Sequence, residues 1–360
     1  MQAPNAHTSA RALMRSIIQR IATGPELSKD ISREEARDGM RAVLDGAIDP
    51  VQAAIFLIAL RMKREADDEY LGILDALRSV TRTGIADVED LVDLADPYDG
   101  FNRALPVSPF LGAVLAACGV RAVVHGVAAM GPKFGVTPRQ VLEAAGQRVD
   151  GTTAEAIARI ENPAIGWAYV DQSSFCPSLH ELASLRTLMV KRPALTTVEK
   201  LLGPIRARGR THLVTGYVHK AYPRIYALLA RAAEFDSALI VRGVEGGVIP
   251  SLRQAGRVFR ILGDDSDELE LQPAQFGFSA GILPPSLPPM GSTFDADAVA
   301  RAAADAGIAA LSGASGPARE SLISAGALCL WHLGRHADLS SAAAAVARAL
   351  DTGAARRQLD

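Results

Sequence analysis

The sequence predicts an α/β protein: a small all-helical N-terminal domain plus a large α/β domain with a mainly parallel central sheet flanked by helices. Two patterns predict this fold class. Residues 28–82 carry explicit helix start and stop signals, whereas short apolar runs alternate with helical segments after residue 90. The chain has 360 residues, enough for two domains, and its 49% hydrophobic and 22% charged content is typical of globular proteins.

Three helices are predicted in the N-terminal segment. Ser32 opens an S-x-x-E capping box, which places a helix start there. Asp49 followed by Pro50 is typical of a second start, because proline is tolerated in the first turn. A third helix is predicted from near Asp67 to about Arg82, where a glycine follows to end it.

Five short apolar runs after residue 90 predict the strands of the sheet. They are Leu91–Leu94, Arg121–His125, Gly166–Val170, His212–Tyr217 and Ala238–Val241. An apolar helix at 110–118 and capped helices after Thr137 and Thr152 separate them, which favours parallel strands with helices on both faces. Residues 179–202 are predicted to be helical again, and residues 320–355 to form two helices.

Residues 263–291 differ from the rest of the chain. An acidic run from Asp264 to Glu270 passes into the alternating stretch LELQPAQFGFS and then into the segment ILPPSLPPMG. Because paired prolines interrupt regular structure, a loop or an arm across the surface is predicted here.

The composition favours a cytoplasmic protein. The three cysteines, Cys118, Cys176 and Cys329, are odd in number and widely separated, which suits a reducing compartment. The N-terminus lacks the apolar stretch of a secretory signal, and the longest apolar run is too short to span a bilayer. We therefore expect no membrane partner.

Several segments resemble the anthranilate phosphoribosyltransferase family. The capped N-terminal helices ending in ALRMK are similar to its helical domain, and LVDLADPYDGFN resembles its strand and glycine-rich pyrophosphate loop. AVVHGVAAMGPKFGVTPRQV, TVEKLLGPI and ALIVRGVEGG resemble three further segments of the family, and SAGALCLWHLG resembles its closing helices. The resemblance covers nearly the whole chain. It implies a helical domain of residues 1–85 with about 178–203, an α/β domain of residues 86–177 and 204–360, and a head-to-head homodimer through the helical domain.

The same segments depart from the family where its chemistry resides. Where the family has a glycine-rich GTGGD loop, this chain has Asp-Pro-Tyr-Asp-Gly, in which Pro97 has no N–H to offer a phosphate. Val124 and Val127 replace the lysine and asparagine of the family's KHGN motif, and Val248-Ile249 replace its Asp-Glu metal pair. We therefore predict that anthranilate phosphoribosyl transfer is lost, and we assign no catalytic residue, metal site or cofactor.

Polar residues nevertheless remain near the strand ends where open α/β sheets bind ligands. The candidate cleft residues are Asp99, Asn102, Arg103, His125, Lys133 and Glu245. Two interpretations stay open. Either these residues hold a small molecule, or His125 hydrogen-bonds locally at the end of its strand while Lys133 is solvated.

A basic segment is the competing site. From Arg186 to Arg224 there are nine Lys or Arg residues and one acid, although the whole chain has a net charge of −2. The candidate nucleic-acid-binding residues are Arg186, Lys191, Arg192, Lys200, Arg206, Arg208 and Arg210. Tyr217, Tyr222 and Tyr226 are candidates for base stacking or for the core. The alternative is a solvated helix face.

The sequence looks like a diverged branch of the family that lacks the transferase activity and binds nucleic acid through a basic dimer groove. The resemblance to that branch implies binding of single- or double-stranded nucleic acid without sequence preference. The alternative function is an active glycosyl or phosphoribosyl transferase that acts on a nitrogenous acceptor other than anthranilate. Only that alternative requires magnesium and phosphoribosyl pyrophosphate.

Overall fold

The computed structural model describes residues 6–24, 26–289, 291 and 293–359. Its N-terminal part is a helical bundle. The helices are α1 (Ala6–Ile21), α2 (Arg33–Leu44), α3 (Pro50–Lys63) and α4 (Asp67–Val80).

The three predicted helix starts are confirmed. The Ser32 hydroxyl accepts a hydrogen bond from the N–H of Glu35, whose carboxylate accepts one in return from the N–H of Ser32. The carboxylate of Asp49 accepts from the N–H of Val51 at 2.8 Å, and Pro50 occupies the first turn. Helix α1 lies before the three predicted helices and adds a fourth member to the bundle.

The α/β part contains one large sheet. Its strands, together with a short parallel pair formed by β1 and β5, are β1 (Gly84–Ala86), β2 (Asp90–Ala95), β3 (Arg121–Gly126), β4 (Trp167–Asp171), β5 (Ile205–Ala207), β6 (Arg210–Gly216), β7 (Ser237–Val241), β8 (Gly256–Leu262) and β9 (Asp265–Leu271). The large sheet has the order β4-β3-β2-β6-β7-β8-β9. The first five strands in this order are parallel and β8 and β9 are antiparallel, so the predicted mainly parallel sheet is confirmed.

Helices connect and flank the strands. They are α5 (Leu111–Ala117), α6 (Pro138–Ala144), α7 (Thr153–Glu161), α8 (Gln172–Phe175), α9 (Pro177–His180), α10 (Ala183–Met189), α11 (Leu195–Val198), α12 (Tyr222–Ala232), α13 (Ala296–Leu311), α14 (Pro317–His332), α15 (Leu339–Asp351) and α16 (Ala354–Arg357). The region predicted as helical from 179 to 202 is therefore split into short pieces. Its helices α10 and α11 pack against α3 and α4 of the bundle. No helix of the described residues is long and apolar enough to cross a membrane.

The acidic run contains a strand that was not predicted. From Asp265 the run alternates polar and apolar positions towards its end and pairs as β9 with β8. Gly263, with φ at 56°, supplies the left-handed conformation that the tight turn between these strands requires. The prolines at 284–285 and 288–289 lie outside helices and strands, as predicted.

The large sheet separates two apolar cores. Alternation along β2 sends Leu91 and Ala95 into a core shared with the helical bundle, and Val92 and Leu94 into a core closed by α5, α14 and α15. Asp93 lies two residues after Leu91 and therefore on the same face of β2, so it is buried on the bundle side of the sheet.

The five parallel strands end at one edge of the sheet, which we call the carboxyl edge; their first residues define the amino edge. The chain leaves β2 for β3 on one side and returns to β6 on the other, so β2 lies at a topological switch point. Crevices at such points are where open α/β sheets bind ligands. The loops that follow β2, β3, β6 and β7 therefore form the candidate site.

Candidate functional site

The loop after β2 is closed by its own side chains. Asp96 is buried, and its carboxylate accepts hydrogen bonds from the Ser108 hydroxyl at 2.5 Å and the Val248 N–H at 3.0 Å. Burial raises the pKa of Asp96, and these two hydrogen bonds act in the opposite direction. Tyr98, two residues after Asp96, is also buried. The loop therefore turns both side chains inward.

The loops after β2 and β3 are in direct backbone contact. A Cβ atom on Gly100 would lie 2.3 Å from the carbonyl oxygen of Gly135, so only glycine fits there. Reciprocal hydrogen bonds between Phe101 and Val136, at 2.9 and 2.7 Å, hold the two loops together. The position of one loop thus fixes the position of the other.

The Glu245 carboxylate lies against three successive backbone N–H groups. Its carboxylate accepts hydrogen bonds from the N–H groups of Asn102, Arg103 and Ala104 at 3.1, 2.8 and 3.1 Å, and it pairs with Lys133 Nζ at 2.6 Å. Successive N–H groups beside a cation are the arrangement that commonly binds phosphate. Here the chain's own carboxylate fills that arrangement, and it does so from a left-handed backbone with φ at 52°.

This contact decides the role of four predicted cleft residues. Asn102 and Arg103 contribute backbone N–H groups, and the side chain of Arg103 is exposed. Lys133 is not solvated, because it binds Glu245 and the carbonyl oxygen of Gly100, at 2.6 Å each. The interpretation of Lys133 as a solvated side chain was therefore wrong.

His125 is buried below the loops. Its Nε2 lies 2.7 Å from Asp93 Oδ1, and its Nδ1 lies 2.5 Å from the hydroxyl oxygen of Tyr98. The Phe175 ring meets the imidazole edge-on, with centroids 6.1 Å apart. Of the two interpretations of His125, the structure therefore shows local hydrogen bonding.

Asp99 binds a residue that was predicted to belong to the other site. The Arg192 Nε and Nη2 atoms lie 2.6 and 2.5 Å from Asp99 Oδ2. Asp99 is buried, whereas about half of the Arg192 side chain is exposed. The pair therefore joins the segment between α10 and α11 to the loop after β2.

The residues present do not fit a magnesium ion at the family's metal position. Val248 and Ile249 are buried and apolar, and neither has an oxygen ligand in its side chain. The nearby Glu245 already holds three N–H groups and a lysine. Among the residues that the structure describes, no three His, Cys, Asp or Glu side chains are grouped to hold a metal.

Two of the predicted nucleic-acid-binding residues are in the protein interior. Arg186 is 1% exposed and binds Glu199 through both terminal nitrogens, at 2.6 and 2.7 Å. Lys200 is buried, donates to the Gly216 carbonyl at 2.9 Å and lies 4.4 Å from the Tyr226 ring centroid. Burial lowers the pKa of Lys200 to about 8. Neither residue can contact nucleic acid from the surface, which corrects the prediction.

The rest of the basic segment is divided between two ends of the sheet. Arg206 donates to the backbone carbonyl groups of Ala233 and Glu234, which follow α12. Arg208 and Arg210 are exposed at the amino edge, where they pair with Asp87 and Asp90. Lys191 and Arg192 lie at the carboxyl edge. Because the length of β6 separates the two ends by roughly 20 Å, the segment does not form one continuous surface.

Tyr217 and Tyr226 are core residues rather than a stacking surface. Tyr222, partly buried, packs against the Tyr226 ring with centroids 6.3 Å apart. The segment's aromatic residues are therefore largely inside.

Other exposed bases surround the candidate site, and the count of charges along the sequence missed most of them. They are Arg103, Lys191, Lys220, Arg242 and Arg253, which we call the carboxyl-edge bases. No ion pair joins any of the five to an acid within the part of the chain that the structure describes. The sequence could have indicated four of them, because these four follow the carboxyl ends of β2, β6 and β7. Lys191 is the neighbour of Arg192, which binds the loop after β2.

Comparisons with known proteins agree with the fold. The helical bundle domain of a glycosyl transferase family matches residues 15–81, and the α/β domain of a glycosyl transferase family matches residues 99–356. An uncharacterized protein from Aquifex aeolicus (strain VF5) is 30% identical over 62% of this chain and 65% of its own length. The anthranilate phosphoribosyltransferase of Acidithiobacillus ferrooxidans (strain ATCC 53993 / BNL-5-31) is 29% identical over 88% of each chain.

Solved structures show the same architecture. Anthranilate phosphoribosyltransferase from Thermus thermophilus superposes with a TM-score of 0.74 at 20% identity, covering 96% of this chain and 97% of that one. The enzyme from Saccharomyces cerevisiae in complex with PRPP and Mg also gives a TM-score of 0.74, at 16% identity over 97% and 96% of the two chains. At these identities the likeness concerns the fold alone. The chain is similar to anthranilate phosphoribosyltransferases in sequence and in fold. Because the model of the α/β domain matches residues 99–356, most of the chain, the protein belongs to this glycosyl transferase family.

Proposed function

We propose that this protein does not transfer phosphoribosyl groups to anthranilate and that it binds nucleic acid without sequence preference at the carboxyl edge. One observation carries the proposal. The backbone donors that could receive a phosphate are filled by Glu245, while the carboxyl-edge bases around them are exposed and unpaired among the described residues.

The filled donors argue against a pyrophosphate substrate. A second anion would have to displace the Glu245 carboxylate from three N–H groups and from Lys133, and then leave that carboxylate nearby as a repelling charge. No metal would offset the repulsion, because Val248 and Ile249 offer no ligand. These features support the loss of the family's transfer reaction.

The exposed bases suit a polyanion instead. Lysine and arginine side chains that contact phosphates release condensed counterions, which drives binding and makes it fall steeply with salt. Phosphate contacts carry no base information, so such binding is indifferent to sequence. The net charge of −2 does not oppose this, since the acidic run of β9 begins at the amino edge, opposite Leu262, and Glu268 is paired with Arg257.

Two double variants test the surface. Lys191→Gln with Arg242→Gln removes two carboxyl-edge bases, and Arg208→Gln with Arg210→Gln removes two amino-edge bases from the segment that the sequence indicated. We expect the first variant to weaken binding of a single-stranded oligonucleotide and to reduce the log–log salt slope by about 1.4. The control should match the unmodified protein, because its residues lie at the other end of the sheet. Fluorescence anisotropy at several salt concentrations measures both quantities.

Three outcomes would contradict the proposal. The unmodified protein could fail to bind nucleic acid at all. The two double variants could weaken binding equally, which would indicate only a diffuse charge effect. The amino-edge variant alone could lose binding, which would restore the original segment as the site.

We also propose a homodimer through the helical bundle. Val51, Ile55 and Met62 are exposed and recur on one face of α3, at spacings of four and seven residues, with Met62 73% exposed. Phe56, an obvious choice for a test, is fully buried in the core, so its substitution would report on folding.

Light scattering tests the dimer. The unmodified protein should be a dimer at micromolar concentration, and Ile55→Glu with Met62→Glu should yield a folded monomer. A monomer in the unmodified protein would rule the dimer out.

A further inference from the structure

Two exposed apolar side chains at the carboxyl edge stand on strained backbone. Phe134, in the loop after β3, has φ at 49° and is 46% exposed. Val190, just after α10, has φ at 59° and is 63% exposed. The left-handed region is unfavourable for residues other than glycine and is least tolerated by β-branched side chains. Val190 ends α10 in this conformation, and both side chains leave apolar surface exposed to solvent beside the candidate site.

The two residues belong to neighbouring segments. A Cβ atom on Gly131 would lie 3.0 Å from Cζ of Phe134 and 3.2 Å from Cα of Thr187. The Phe134 ring and the end of α10 therefore both lie against Gly131 and close to each other. Because Val190 follows Thr187 by three residues, the loop after β3 and the end of α10 together present an apolar surface. We call Phe134 and Val190 the apolar lip.

Positive charge adjoins the apolar lip. Lys191 and Arg192 follow Val190 directly, and both are exposed. Arg192 binds Asp99 through Nε and Nη2, which leaves its Nη1 for another acceptor. Lys133 precedes Phe134, although its ammonium group is taken by Glu245. An exposed aromatic ring beside bases is the combination that binds single strands, where bases stack on the ring and phosphates meet the cations.

We infer that the apolar lip is a stacking platform for single-stranded nucleic acid, with one base on the Phe134 ring and the adjacent phosphates on Lys191 and Arg192. The inference rests on the proposed function and adds that one part of the site is specific for single-stranded nucleic acid. In a duplex the faces of the bases are covered by their neighbours, so the ring has nothing to stack on. The carboxyl-edge bases can still bind a duplex through its phosphates.

Three probes of equal length separate these contributions: a thymidine single strand, an abasic single strand and a duplex. Stacking of one base on an aromatic ring is lost on substitution by alanine. We expect Phe134→Ala to weaken binding of the thymidine strand about 5- to 150-fold, and to leave the abasic strand and the duplex unchanged. Ile85→Ala removes an exposed apolar side chain from β1 and serves as the matched control, with no expected effect.

A second variant reports on stacking directly. Phe134→Trp should keep the affinity for the thymidine strand, and its fluorescence should be quenched by that strand and not by the abasic one. The signal of the two native tryptophans is subtracted with the unmodified protein.

The outcomes distinguish the inference from the function on which it rests. If the unmodified protein binds none of the probes, the proposed function fails. If it binds all three equally and Phe134→Ala changes nothing, the proposed function stands and the stacking platform is overturned. If Phe134→Ala converts the dimer to a monomer in light scattering, the apolar lip is a contact between copies and the inference is also overturned.

Discussion

Arg186→Met is expected to lower the free energy of unfolding by about 3–5 kcal/mol, because it leaves the Glu199 carboxylate buried without its cation. Arg186 is inside the protein and holds both oxygens of Glu199. The only other hydrogen bond to that carboxylate from the described residues comes from Gln172 Nε2 at 3.1 Å. Burial acts to lower the pKa of Arg186, and the charge and hydrogen bonds of Glu199 outweigh it and raise the pKa.

A second substitution makes the test specific. Adding Glu199→Gln to Arg186→Met removes the stranded charge, so the double variant should be more stable than the single one in urea unfolding. At a temperature where the single variant is folded, its affinity for nucleic acid should equal that of the unmodified protein. Stability close to that of the unmodified protein, together with lost nucleic-acid binding, would show instead that Arg186 is a surface contact.

Acid is expected to destabilise the protein through His332. Burial lowers the pKa of His332 to about 3, with contributions from His212 and the guanidinium of Arg260. The unfolded chain has an ordinary histidine pKa near 6.5, so between about pH 6.5 and 3 it binds a proton that the folded protein does not. The contribution of the neutral His332 to the free energy of unfolding is therefore fully present above about pH 6.5, and it is lost as the pH is lowered towards 3. The loss between pH 7 and pH 4.5 is about 2.5–3 kcal/mol, from 1.36 kcal/mol per pKa unit.

His332→Gln isolates this contribution. His332 Nε2 lies 2.7 Å from the Ser237 hydroxyl, and a glutamine amide can take up that hydrogen bond without titrating. Unfolding free energies are measured at pH 7 and pH 4.5 for both proteins, so that other groups, such as Asp96, cancel in the double difference. The loss on acidification should be smaller in the variant by about 2.5–3 kcal/mol. Equal losses in the two proteins would show that His332 titrates normally.

The elements that the sequence predicted well are those whose signals are local. Ser32, Asp49 and Thr137 each cap a helix through a hydrogen bond to a residue two or three positions later, so the pattern contains the whole interaction. The parallel strands were found because each is a short apolar run buried on both faces. Strand β9 was missed because its pairing with β8 stabilises a segment whose exposed acidic residues are unfavourable for strands.

The site residues were harder because their environment is set by distant segments. Arg186 and Lys200 are as basic as Arg208 in the sequence, yet burial depends on Glu199 and on Gly216 being brought to them by the fold. The count of charges from 186 to 224 also does not show at which end of β6 each residue lies. It therefore merged residues from opposite edges of the sheet.

The cleft could be predicted only in part. The absence of the family's lysine and metal pair is visible in the sequence at Val124, Val248 and Ile249. That Glu245 turns towards the N–H groups of residues 102–104 is a contact across about 140 residues, and no spacing predicts it.

Titration calorimetry with phosphoribosyl pyrophosphate and magnesium tests the central claim most directly. The Saccharomyces cerevisiae anthranilate phosphoribosyltransferase, whose solved structure contains both, serves as the positive control. Because Glu245 fills the backbone donors and Val248 and Ile249 replace the metal ligands, we expect no saturable, magnesium-dependent heat at concentrations that saturate the control enzyme. Saturable magnesium-dependent binding would contradict this account and favour a transferase that acts on a nitrogenous acceptor other than anthranilate.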